Sequence, residues 1–172
     1  MNYTLWDNIF NIVETPRRGV STNRIRFNYN SMYMENSFIC ENCHKEVINT
    51  LENNRNHCPY CLYSKHVDIK SGDRMSLCRG MMEPIGLTFK KIKPDKFNPN
   101  KKGELMIIHQ CLLCKYISIN KLAVDDRSDL VLSIFENSQK NQIELPRWII
   151  PAGKEDVMEI KNQLFGKKIS AA

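Results

Sequence analysis

Apolar and polar residues repeat along this chain with two different periods, and each period marks a different kind of element. Over residues 4–14, Leu5, Trp6, Ile9, Phe10, Ile12 and Val13 recur at helical spacing until Pro16 stops the pattern. Further on, Arg24, Arg26, Asn28 and Asn30 alternate with Ile25, Phe27 and Tyr29. Period two predicts a strand with one apolar face and one basic, amide-rich face. SFICENCHKEVI (37–48) and MIIHQCLLCKYISIN (106–120) each read as strand, tight Cys-x-x-Cys turn, strand. After Asp125, the run SDLVLSIFENS places Leu130, Val131, Ile134 and Phe135 on one side of a helix, with Asp126 or Ser128 as its expected cap. Pro146–Pro151 reads as an extended apolar connector. Lys154–Phe165 reads as a second amphipathic helix, with Val157, Ile160 and Leu164 aligned and Gly166 as its stop.

A length of 172 residues fits one domain, or one domain with extensions, and 42% apolar residues suffice for a modest core. Met1–Val13 has neither a basic n-region nor a long apolar run, so no signal peptide is expected. Nor does any segment approach the run of about 18–20 apolar residues that a membrane span requires. The expected setting is a reducing compartment, the cytoplasm, where Cys-x-x-Cys pairs bind metal rather than close as disulfides.

Net charge is +6, from 25 basic and 19 acidic residues, a balance compatible with a nucleic-acid partner. The basic residues gather in three places. Arg17 and Arg18 form a loop with Gly19; Arg24 and Arg26 lie on the predicted strand; residues 90–104 hold six lysines, Lys90, Lys91 and Lys93 among them, against Asp95 and Glu104. Two prolines make that last stretch an exposed loop or long hairpin connection. Solvated side chains are the plain account of all three; contacts to phosphates are the functional one, with Trp6, Phe27, Tyr29 and Tyr33 available for stacking.

The cysteines carry the clearest chemistry. Cys40/Cys43, Cys58/Cys61 and Cys111/Cys114 are Cys-x-x-Cys pairs, and Cys78 is the seventh cysteine. Two thiolates on one turn can share an ion, and two such turns complete the tetrahedral shell of zinc. Seven sulfurs approach two full shells, with His44, His57, His66 or His109 as the source of an eighth ligand. Cofactor and count are therefore zinc, two ions. The local division joins Cys40, Cys43, Cys58 and Cys61, and leaves Cys78, Cys111, Cys114 and a histidine. The crossed division joins Cys40/Cys43 to Cys111/Cys114, leaving Cys58, Cys61 and Cys78 with His57 or His66. Spacing permits both, and the duplicated strand–knuckle–strand layout favours the crossed one. His57 abuts Cys58, which hinders it from reaching the same ion. His66 is the preferred eighth ligand, and His109 faces the same side of a strand as Cys111.

The run Arg55-Asn56-His57-Cys58-Pro59, followed by Tyr60-Cys61-Leu62 and later by Gly72-Asp73-Arg74, resembles the RNHCP domain family, named for this pentapeptide. Further blocks are similar to that family: Glu35–Cys43, Cys78–Gly86, His109–Cys114 and Asn120–Asp126. The resemblance implies a zinc-binding domain over 35–136, with 1–34 and 137–172 as added segments. Residues His44 and Lys115 stand where the family usually has a glycine after each outer knuckle, which works against the standard left-handed turn there. The fold class expected is a small, zinc-stapled α+β domain: a zinc-ribbon-like β-hairpin core with peripheral helices near both termini.

Deamination is excluded by motif, since Pro59 lies inside its cysteine pair rather than before one. A redox pair at the start of a βαβ helix does not fit turns that lie between strands. A zinc-dependent nuclease of the His-Asn-His type would use His57, His66, Asp68, Asp73 and Arg74 around an open metal. The plain alternative has Asp68, Asp73 and Arg74 forming a hydrogen-bonded turn with Gly72. Binding fits more of the features: a non-enzymatic zinc module on RNA or a ribosome surface, or an adaptor docking a protein through its terminal helices.

Overall fold

The computed structural model describes residues 36–49, 55–141 and 144–166. The predicted helix at 4–14, the basic loop of Arg17 and Arg18, the strand bearing Arg24 and Arg26, and the aromatics Trp6, Phe27, Tyr29 and Tyr33 lie outside the described residues.

Two antiparallel sheets form. In the first, β1 (Asn36–Ile39) pairs with β2 (Glu46–Asn49), and the Cys40–Cys43 turn joins them. The second has the order β3-β4-β5-β6, from Ser64–Lys65, Met81–Phe89, Leu105–Cys111 and Ile117–Lys121. Strand β5 is interior and covered on both faces. Leu105, Ile107, His109 and Cys111 alternate onto one face and are all buried, while Ile108 is buried on the other. One strand face therefore runs from the apolar core to Cys111, one of the candidate metal ligands.

Pro84 sits inside β4, where its missing N–H would break a regular ladder. The pairing with β5 shifts register between Pro84 and Gly86, so the proline falls at a bulge. The lysine-rich segment 90–104 joins β4 to β5, as expected of a hairpin connection, and the Lys90 amide donates to the Glu104 carbonyl (2.8 Å) at its base.

Helix α1 (Ser128–Lys140) buries Val131 and Phe135, one turn apart. After a 3-10 turn at Lys154–Asp156, α2 (Val157–Phe165) buries Ile160 and ends at Gly166, whose φ is 78°. Both helices close one core with the sheet, built from Leu62, Leu87, Leu105 and Ile107 together with Val131, Phe135, Ala152 and Ile160.

Two local expectations are corrected. No side chain caps α1; its N-terminal flank is Arg127, and the Asp126 carboxylate turns away to accept from the Ala123 amide (2.8 Å) and to meet His57. The Pro146–Pro151 segment is not uniformly extended. The Ile149 amide folds back onto the Pro146 carbonyl (2.9 Å), burying Ile149 and leaving Trp148 half exposed.

Candidate metal centres

Each Cys-x-x-Cys pair folds into the same knuckle. The amide of the first cysteine donates to the carbonyl five residues on: Cys40 to Lys45 (2.9 Å), Cys58 to Tyr63 (2.9 Å) and Cys111 to Tyr116 (2.8 Å). Its carbonyl accepts from the amide four residues on, that of His44, Leu62 or Lys115. Those residues have φ of 58°, 62° and 62°, so the chain reverses through the left-handed region each time. The sequence pattern predicts two such knuckles and the structure has three. The left-handed turn also persists at His44 and Lys115 without glycine, because the hairpin bonds on either side fix the reversal against the steric preference.

Two groups of donors converge, and within each the ligand atoms all lie within 4.8 Å of one another. The first is Cys40, Cys43, Cys58 and Cys61, with Cys40–Cys61 and Cys43–Cys58 sulfur separations of 3.6 Å. The second is His66, Cys78, Cys111 and Cys114. Its Cys78 and Cys111 sulfurs are 3.7 Å apart, and Cys114 Sγ lies 3.2 Å from His66 Nδ1. A tetrahedral ion with Zn–S bonds of about 2.3 Å requires sulfurs about 3.8 Å apart, and a sulfur and an imidazole nitrogen about 3.6 Å apart. Both donor sets fit zinc in kind, number and spacing.

This is the local division, not the crossed one that the duplicated layout favours. Strand register decides it. Met82 pairs with Cys111, which sets Cys78–Gly80 beside the third knuckle; Lys65 pairs with Met81, which brings His66 alongside. The His66 amide donates to the Gly80 carbonyl (2.8 Å), and its ring stacks on Tyr116 at 4.8 Å and 4°. Gly80 has no room for a side chain, because a Cβ there would lie 2.9 Å from the Cys111 sulfur. The two look-alike knuckles belong to separate sheets.

Electrostatics also suit a cation. Burial pushes the Cys58 thiol up, and the neighbouring Cys43 and Cys61 add to the rise. At Cys111, burial acts upward, but the Cys114 and Leu113 amides directed at the sulfur outweigh it and hold the thiol at about 6. Thiolates packed this closely repel one another unless an ion sits between them. Four protein donors per site leave no coordination position open for water, which is the arrangement of structural zinc.

The remaining histidines serve the frame. His57 Nε2 lies 2.7 Å from Asp126 Oδ2, both side chains buried, and Arg55 pairs with Asp125 and Asp126. His109 is buried; its Nε2 donates to the Leu62 carbonyl (2.7 Å), and its Nδ1 accepts from the Asn120 amide (3.0 Å). Burial, opposed by that carbonyl, lowers its pKa to about 4, so the ring is neutral. The residues considered for a nuclease do not gather around a third metal. Asp73 accepts from the Ile69, Lys70 and Met75 amides, and Asp68 accepts from those of Gly72 and Arg74. Only the two groups above assemble among the described residues.

Among the basic candidates, Lys90 faces Glu104 at 3.7 Å. Lys91 and Lys93 are exposed and form no ion pair among the described residues. The sequence reading passed over Phe97 in the same loop, which is 97% exposed; its adjacency to Lys96 was the available signal. It also missed the Arg55–Asp125–Asp126–His57 cluster, whose halves lie about seventy positions apart with no periodicity to join them.

No helix among the described residues is long and apolar enough to cross a membrane. No curated protein and no solved structure matches the chain. A family model described as the RNHCP domain matches residues 35–132. That span holds all eight metal-ligating candidates, and it holds the Arg55-Asn56-His57-Cys58-Pro59 run whose arginine and histidine close onto Asp125 and Asp126. The match covers more than half of the sequence, and the chain belongs to the RNHCP domain family.

Proposed function

We propose that this zinc module binds single-stranded RNA, free or displayed on a nucleoprotein such as a ribosome, through the loop between β4 and β5. The carrying observation is Phe97, almost wholly exposed in the same loop as Lys91, Lys93 and Lys96, three cations with no ion pair among the described residues. An exposed aromatic in a loop that also carries free lysines suits a base stacked on the ring while phosphates meet the lysines. Asp95 gives the loop its shape: it accepts from the Phe97 amide (2.9 Å) and faces Lys101 at 3.7 Å. The Lys101 amide then closes a turn on the Asn98 carbonyl (3.1 Å). Seven free thiols, all of them zinc-ligating candidates, support action in a reducing compartment, the cytoplasm.

Fluorescence anisotropy with a labelled oligo-uridylate tests this reading. Affinity falls with salt, with a log–log slope of about −0.7 for each phosphate neutralised on a single strand. Replacing Lys91, Lys93 and Lys96 with Gln makes that slope shallower by about 2. Phe97→Ala weakens binding by about 1–3 kcal/mol with little change in slope. Absence of any salt-dependent RNA binding ends the proposal.

A further inference from the structure

Apolar side chains crowd the surface around the second metal centre. Leu77 is 94% exposed and Leu113 is 71% exposed, with Ile69, Met75, Leu112 and Tyr116 also exposed. They come from two loops that converge at the ligands, 66–80 carrying His66 and Cys78, and 111–116 carrying Cys111 and Cys114. The loops are tied to each other and to the sheet. The Tyr116 hydroxyl donates to the Ile69 carbonyl (3.0 Å), and the Leu112 amide donates to the Met81 carbonyl (2.9 Å). Leu113 lies against Gly80, where a Cβ would sit 3.0 Å from Leu113 Cδ1. Single exposed apolar residues need no explanation; six in two loops held by one metal centre form a patch that does.

The same loops carry cations. Lys70, Arg74, Arg79 and Lys115 are exposed and form no ion pair among the described residues. Asp68 and Asp73, the carboxylates of the first loop, are engaged by backbone amides. Arg74 and Arg79 both have φ of 52°, and among the described residues they are the non-glycine residues in the left-handed region besides those of the three knuckles. That conformation is unfavourable for any residue with a Cβ, and such strain gathers at binding surfaces.

We propose that this face docks a segment of another protein carrying aliphatic side chains flanked by aspartate or glutamate. The exposed leucines and methionine suit aliphatic contacts, and the cations on the same loops call for carboxylates. A second copy of the chain would set two cation-bearing faces against each other. RNA fits poorly, because Tyr116 is the only aromatic among these six and His66 already stacks on its ring. The face is separate from the β4–β5 loop and does not depend on the RNA-binding proposal.

The test pans a phage-displayed random peptide library on the zinc-loaded full chain, then measures the labelled consensus peptide by anisotropy. Enriched sequences combine Leu, Ile or Met with Asp or Glu. The consensus loses affinity about 10-fold or more for Leu77→Ser/Leu113→Ser, as expected of apolar anchors. The loss is smaller and salt-dependent for Arg74→Gln/Arg79→Gln. Neutralising Lys91, Lys93 and Lys96 leaves it unchanged. Native mass spectrometry reports two zinc ions in each variant, and Met75→Lys, not adjacent in sequence to any ligand as Leu77 and Leu113 are, gives the same loss if the double leucine variant fails that check. Failure to enrich acidic–aliphatic peptides overturns the proposal, as does undiminished binding to the variants. So does displacement of the peptide by oligo-uridylate, or a dimer that Leu77→Ser dissolves.

Discussion

At the scale of single residues, the three knuckles pose one backbone problem with two kinds of side chain. His44, Leu62 and Lys115 all occupy the left-handed region, but His44 and Lys115 are exposed whereas Leu62 is fully buried in the core. Relief of Cβ strain, less the extra chain entropy of glycine, leaves His44→Gly and Lys115→Gly each more stable by about 0.5–1 kcal/mol. Leu62→Gly relieves the same strain but empties a core position, for a net loss of about 2–4 kcal/mol. Thermal unfolding followed by circular dichroism in saturating zinc ranks the three; a loss of stability in His44→Gly and Lys115→Gly would show that the turns are unstrained. The buried Asp126 poses the opposite problem, since it is the carboxylate that faces both Arg55 and His57. Asp126→Ala leaves the buried His57 without its carboxylate and Arg55 with Asp125 alone, and costs about 3–5 kcal/mol. Denaturant unfolding at constant zinc measures that loss, and a change under about 1 kcal/mol would mean the cluster is solvated and weak.

At the scale of elements, β1 and β2 make a hairpin with almost no core of its own. Its buried cluster is Cys40, Val47 and Cys58, with Phe38, Cys43 and Cys61 packed against it, so four of the six are candidate zinc ligands. A two-stranded hairpin is marginal in water without such support. Cys43→Ser therefore yields a protein with one zinc in which amides of 36–49 exchange freely while those of β4 and β5 stay protected. Hydrogen exchange with mass spectrometry reads this directly, and retained protection at 36–49 would show that the strands stand without the ion. Legibility in the sequence follows from the same physics. The strands flanking Cys40–Cys43 and Cys111–Cys114, and the two helices after Asp126, were readable because each is specified by local periodicity and a local turn. The ligand division was not readable, because it rests on the pairing of Met82 with Cys111 and of Lys65 with Met81, contacts between segments distant in sequence. Two-residue β3 and the bulge at Pro84 leave no pattern to read for the same reason.

At the scale of the whole molecule, the core extends beyond the family match. That match stops at residue 132, inside α1, but Ala152 and Ile160 are buried members of the main cluster, with Val157 and Leu164 packed against it. The C-terminal segment also satisfies sheet groups. The Ala152 amide donates to the Leu87 carbonyl (2.8 Å), and Gln163 both accepts from the Leu105 amide (2.8 Å) and donates to the Gly103 carbonyl (2.9 Å). The sequence showed an amphipathic helix here but not what its apolar face meets, since a moment gives a direction without a partner. A chain ending at Asn141 exposes that side of the core and leaves those sheet groups to water. Losing the Ile160 side chain alone costs about 2–5 kcal/mol, against a total stability of about 5–15 kcal/mol for a typical domain. The shortened chain is therefore expected to fold poorly even with both zinc sites intact, showing a broad thermal transition and exchange throughout β4. A chain ending at Gly166 unfolds like the full sequence, and Ile160→Ala falls between the two. A sharp transition at the full-length temperature in the chain ending at Asn141 would show that the zinc-stapled sheet is stable alone and that the C-terminal helix only rests on it.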